Sequence, residues 1–170
     1  MKYLMIIGLI SLALVACQEN ESVKKNDFTG NEATYALKPG SEYAVQGAVT
    51  FQEKVDGTIL VTLQLTGTEG KLQHPVHLHL GNIGTPDADV AAQLMPVEGS
   101  NGKSETILSQ LADESKITYN DIIGLDACIK VHLAASGPDK DIVLAGGNIG
   151  KAFANDGAAG RLGFSTCRSN

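Results

Sequence analysis

The sequence predicts an all-β domain, built as an antiparallel Greek-key sandwich or a flattened barrel. Three observations carry that expectation. Segment after segment alternates apolar and polar residues with a period of two, nineteen glycines punctuate these runs at short intervals, and no stretch has the period of a long amphipathic helix. "YAVQGAVTF" (43–51) sets Tyr43, Val45, Gly47, Val49 and Phe51 on one face, and Val55-Asp56-Gly57 is a hairpin signal because Asp-Gly accepts positive φ. The return run "TILVTLQLTG" puts Ile59, Val61, Leu63 and Leu65 inward and Thr62, Gln64 and Thr66 outward. Further strands are expected in "HPVHLHLG" (74–81), "VAAQLMPV" (90–97), "ACIKVHLAA" (127–135), "IVLAGG" (142–147) and "RLGFSTC" (161–167), the last two separated by a Gly/Ala loop. "SETILSQLA" (104–112) is mixed in pattern. "ITYNDIIG" holds one short helical turn capped by Thr118.

The 170 residues suit a single domain preceded by a leader. "MKYLMIIGLISLALVAC" opens with Lys2 and an apolar run too short for a membrane span, and "LVAC" looks like a bacterial lipobox. That resemblance implies a signal peptide over residues 1–16 and lipid on Cys17. The protein would then be held in the bacterial cell envelope, facing the periplasm or the exterior, with the membrane as partner through the acyl chains. The polar stretch 17–40 reads as a flexible tether and 41–170 as the domain. A formal net charge of −6 with no basic patch excludes nucleic acid as a partner. With Cys17 lipidated, Cys128 and Cys167 remain; in an exported chain the even pair favours a disulfide, the other reading being two buried thiols.

Four histidines stand in the chain, three of them in "HPVHLHLG". Positions i and i+2 of a strand project from one face, about 7 Å apart at Cα. Val76, Leu78 and Leu80 form the apolar set, so His77 and His79 share the outward face. In "ACIKVHLAA" the core set is Ala127, Ile129, Val131 and Leu133, which turns His132 outward as well. If the two strands are neighbours, His77, His79 and His132 meet on one metal ion. The competing reading is a chance HxH of solvated imidazoles. His74, before Pro75 and of opposite parity, orients a loop instead of ligating. A three-imidazole set suits copper by the usual affinity order, with zinc as the alternative ion.

"YAVQGAVTFQEKVDGTILVTLQLTGTEGKLQHPVHLHLG" resembles the opening half of the copper/zinc superoxide dismutases, which carry HxxHxH on the strand after a hairpin. The resemblance implies that His77 and His79 are copper ligands, that His132 in "CIKVHLAA" is another, and that superoxide is the substrate. "GAAGRLGFSTC" is similar to that family's closing loop and last strand, which implies anion guidance by Arg161 and a disulfide role for Cys167. No histidine lies between His79 and His132, so the bridging imidazole and the zinc-site histidines of the family are absent. "HLHLGNIGTPDADVAAQLMP" and "CIKVHLAASGPDKDIVLAGG" also resemble the two signature segments of CHRD domains.

Three functions follow as expectations: a copper-binding envelope lipoprotein, with copper-only dismutase activity as its catalytic form; a non-catalytic CHRD-type structural or metal-buffering module; and a His₃ zinc hydrolase or lyase. A cupin is disfavoured because no carboxylate follows HxH before Asp87, and a serine hydrolase because no G-x-S-x-G elbow occurs.

Overall fold

The computed structural model describes residues 27–86 and 88–159. Eight strands form one closed antiparallel barrel: β1 (Phe28–Pro39), β2 (Gln46–Lys54), β3 (Ile59–Thr66), β4 (Gln73–Leu80), β5 (Val90–Glu98), β6 (Lys103–Leu108), β7 (Asp126–His132) and β8 (Val143–Ile149). Around the barrel they run β1-β2-β3-β6-β5-β4-β7-β8. The chain therefore crosses from β3 past two strands to β4, and from β6 past two strands to β7, which are Greek-key connections. The all-β expectation holds, and the barrel form is the one adopted.

Alternation fills the interior. Val49 and Phe51 of β2, Ile59, Val61 and Leu63 of β3, and Ala127, Ile129 and Val131 of β7 are all at most 1% exposed. The β2–β3 hairpin turns where expected. Gly57 adopts φ 83° and donates its N–H to the Lys54 carbonyl. The helical turn is α1 (Tyr119–Gly124), with Thr118 and Asp121 forming a reciprocal capping box. Its Ile122, 1% exposed, anchors the long crossover that delivers β7 beside β4.

Two sequence expectations are corrected. Residues 28–39, expected within the polar tether, are strand β1, paired with β2 from Phe28↔Lys54 to Leu37↔Gly47. Their outward positions carry polar pairs, Thr34 with Thr50 (2.9 Å) and Gln52 with Glu32 (2.7 Å), while Tyr35 and Leu37 alone are fully inside. Two core residues in twelve hide the period. The stretch expected as a Gly/Ala loop is a helix, α2 (Gly150–Ala159), in keeping with alanine's high helix propensity. Its Ala152 is buried and Phe153 meets Tyr35 edge-on at 5.2 Å.

The ring closes between β1 and β8, at Lys38↔Gly146 and Pro39↔Ala145. Gly147 is required at this closure, because a Cβ there would overlap the Ala36 carbonyl oxygen. The strand that completes the barrel is "VLAGGNI"; residues 161–167, expected as a further strand, lie outside the described ones.

Two seams are thinly paired, the β1–β8 closure and the boundary between β5 and β6. β5 and β6 share the single ladder pair Glu98↔Lys103. Farther along, side chains replace backbone pairing: the Ser104 hydroxyl donates to the Met95 carbonyl (2.6 Å), and the Met95 N–H donates to Thr106 Oγ1 (2.8 Å).

Membership of β1 in the barrel is testable. Leu37→Ala should lower stability by about 2–5 kcal/mol in urea denaturation, whereas a residue of a mere tether would leave the midpoint unmoved. Thr118→Ala should cost about 1 kcal/mol through loss of the helix cap.

Candidate metal centre

Strands β4 and β7 are direct neighbours, in the register Val76↔Val131, His77↔Lys130 and His79↔Cys128. Val76, Leu78, Ile129 and Val131 are sealed inside the barrel, at most 1% exposed. The alternate residues His77, His79 and His132 therefore stand on the outer wall. Their ring centroids lie 4.9 Å (His77–His132), 5.6 Å (His77–His79) and 6.1 Å (His79–His132) apart. One nitrogen from each ring lies within 4.8 Å of the others, a spacing that suits ligation of a single ion. Among the described residues no carboxylate or cysteine joins this group.

Facing outward does not leave the rings wet. His79 is only 7% exposed and the other two are half-buried, because the loops after β4 and β7 fold back over the wall. Each loop also fixes a ring. His79 Nδ1–H donates to the Ala88 carbonyl at 2.8 Å, and His132 Nδ1–H donates to the Lys140 carbonyl at 2.9 Å. A carbonyl can only accept, so both rings carry their proton on Nδ1 and present an unprotonated Nε2. Both Nε2 atoms are buried and have no hydrogen-bond partner. A buried acceptor left unpaired costs about 1–3 kcal/mol, and a cation between the rings would satisfy both. A carbonyl accepting from the far nitrogen of each ring is the arrangement seen at metal-bound histidines generally.

The loop after β4 is itself anchored. Ile83 N–H donates to Asn148 Oδ1 at 2.6 Å, and Asn148 in turn donates to Asp156 of α2, which also accepts from Asn82 at 3.3 Å. Asn148 is 5% exposed and stands on the outer face of β8, so α2 and the loop are tied across the wall that bears the histidines.

Burial holds all three imidazoles below the ordinary histidine range. Desolvation alone acts on His77. At His79 desolvation leads, opposed by the bond to Ala88 and reinforced by the positive charges of Lys130 and His77. His132 is pushed down to about 4, by desolvation first and next by the charge of His77; the bond to Lys140 opposes this, and His79 and Lys130 add to it. All three rings are thus neutral at neutral pH.

The remaining predicted residues fall as follows. His74 lies in β4 with the inward parity, 4% exposed, and donates Nδ1–H to the Leu133 carbonyl at 3.1 Å. It thus orients the segment after His132 and stays out of the cluster. Cys128 is fully buried on the outer wall between His79 and Asn148, and burial pushes its thiol up to about 11, which keeps it a thiol and no thiolate ligand. It makes no disulfide among the described residues. Cys17, Arg161 and Cys167 lie outside the described residues. Sequence reasoning missed the carbonyls of Ala88 and Lys140, which carry no side-chain signal. It also passed over Lys130, whose outward parity was readable in "CIKVH".

The low affinity of His132 for protons has a measurable consequence. The folded protein holds this ring neutral down to about pH 4, whereas an unfolded chain protonates it near 6.5. Between those values the unfolded chain binds more protons, so stability of the metal-free protein falls as pH drops through that window. Denaturation followed from neutral pH downward should show this slope, and His132→Gln should flatten it.

No family model matches the chain. Over 81 residues, 46% of its length, it is 35% identical to "Cell surface superoxide dismutase [Cu-Zn] 4" of Candida albicans (strain SC5314 / ATCC MYA-2876). The match covers 33% of that relative, so the chain spans about a third of the length of the curated protein it resembles.

Proposed function

We propose that this protein is a copper-binding domain of the superoxide dismutase-like kind, with His77, His79 and His132 as the ligands. The observation that carries the reading is the pair of buried, partnerless Nε2 atoms on His79 and His132, in a cluster where one nitrogen of each of the three rings lies within 4.8 Å of the others. Three neutral imidazoles without a carboxylate suit copper before zinc. The partial likeness to a cell surface dismutase supports the same ion.

Copper-only dismutase activity is the catalytic form of this proposal, favoured by that relative's name. Copper, when bound, supplies one-electron exchange with a small oxygen anion. The protein supplies the rest. His79 and His132 hold their Nδ1 protons on backbone carbonyls, so neither ring is free to hand one over. The chain has four histidines, three in the cluster and His74 engaged by Leu133, which leaves none for a bridging imidazole. The proton needed by the product therefore comes from solvent. The non-catalytic alternative, a CHRD-type module that holds or buffers copper, uses the same ligands and differs only in turnover. Placement in the bacterial envelope on a lipidated Cys17 is part of the proposal and rests on "LVAC" and the apolar leader alone.

With copper and zinc both offered, the full chain should take up copper in a one-to-one ratio. His77→Ala combined with His132→Ala should abolish that uptake while the β-rich circular dichroism persists; retained uptake would refute the shared site. Superoxide removal by the copper-loaded protein, set against the double variant, separates the dismutase from the buffering module.

A further inference from the structure

The outer wall around the histidines forms a small grid set by register. His77 sits beside Lys130, and His79 sits beside Cys128 one row along. His132 lies one row along β7 in the other direction. Lys130 therefore occupies the position flanked by His77 across the strands and His132 along its own strand, with His79 on the diagonal. Directly opposed residues of an antiparallel pair hold their Cβ atoms about 4.5–5.5 Å apart, and diagonal neighbours about 7–8 Å. Lys130 is half-buried, and the other neighbour in its row is Gly146, which offers no side chain. The ion pair among the described residues is Lys54–Asp56, elsewhere in the fold, so Lys130 has no carboxylate partner there. Asp126, on the same face of β7, is exposed and lies beyond Cys128.

A cation held by these rings would feel the positive charge of Lys130, which already acts on His79 and His132 across this partly buried patch. The three donors are neutral and bring no compensating negative charge. Coulomb repulsion scales with the charge of the ion, so Lys130 opposes a doubly charged metal twice as strongly as a singly charged one. We propose that Lys130 selects the valence of the bound metal, favouring Cu(I) over Cu(II) and Zn(II). This inference rests on the copper reading above and adds a residue that ligates nothing yet sets which oxidation state the site prefers.

The test uses the full chain and Lys130→Met, which keeps the apolar stem and removes the charge, with Lys130→Arg and Lys130→Glu beside it. Cu(I) and Cu(II) affinities are measured by chelator competition, and the reduction potential is measured on the copper-loaded protein. In Lys130→Met, Cu(II) should tighten more than Cu(I), shifting their ratio by about tenfold and lowering the potential by about 59 mV, the one-electron equivalent. Lys130→Arg should keep the parent ratio, and Lys130→Glu should move it farther in the Met direction. An unchanged ratio in both the Met and Glu variants would overturn the inference while leaving copper binding intact. Failure of the parent chain to bind copper would overturn the copper reading and this inference together.

Discussion

Two backbone carbonyls hold the rings of the histidine wall in place. Ala88 and Lys140 take the Nδ1 protons of His79 and His132, and by doing so decide which nitrogen of each ring is left bare. Ala88 belongs to the loop after β4 and Lys140 to the short 3-10 turn Pro138–Asp141 after β7, so these connections do more than cover the histidines: they define their tautomers. The β4–β7 ladder beneath provides the spacing, and the sealed row of Val76, Leu78, Ile129 and Val131 prevents a slip. A shift of one residue would bring the imidazoles into the core and the valines into water, a change no strand with one buried face tolerates. Core packing and the placement of the three histidines are thus the same constraint seen from two sides of one sheet.

Much of this arrangement was legible in the sequence, because period-two alternation reports directly which side of a wall a residue occupies. The outward histidines, the β2–β3 hairpin and the Thr118 cap all followed from local rules. What escaped notice had a physical reason in each case. β1 commits only Tyr35 and Leu37 fully to the core, so its polar rungs resemble a linker. α2 is built of alanine, glycine and small polar residues without a strong apolar stripe, and its docking through Phe153 onto Tyr35 is a tertiary fact. The burial of outward-facing rings also lay beyond reach, since it depends on how two loops return over the sheet.

Glycine placement links barrel closure to the site. Gly147 lets β8 approach the β1 backbone, and neighbouring Gly146 leaves the outer wall bare where the Ile83 side chain settles. Asn148, next along, receives the Ile83 N–H and reaches Asp156. Three consecutive residues of "GGN" thereby close the ring, make room for the loop and fasten it. The same loop carries Ala88, so the closing strand contributes to the orientation of His79 without touching it.

The hydroxyl-stitched boundary between β5 and β6 gives the barrel a weak side. With one ladder pair and the bonds from Ser104 and Thr106, that edge has little to resist thermal opening compared with the continuous pairing of β4 against β7. The closure between β1 and β8, with two ladder pairs, is the other thinly paired seam of the barrel. The imidazole wall lies on the other flank of β4, so an opening confined to the β5–β6 boundary leaves in place the β4–β7 ladder that spaces the three histidines.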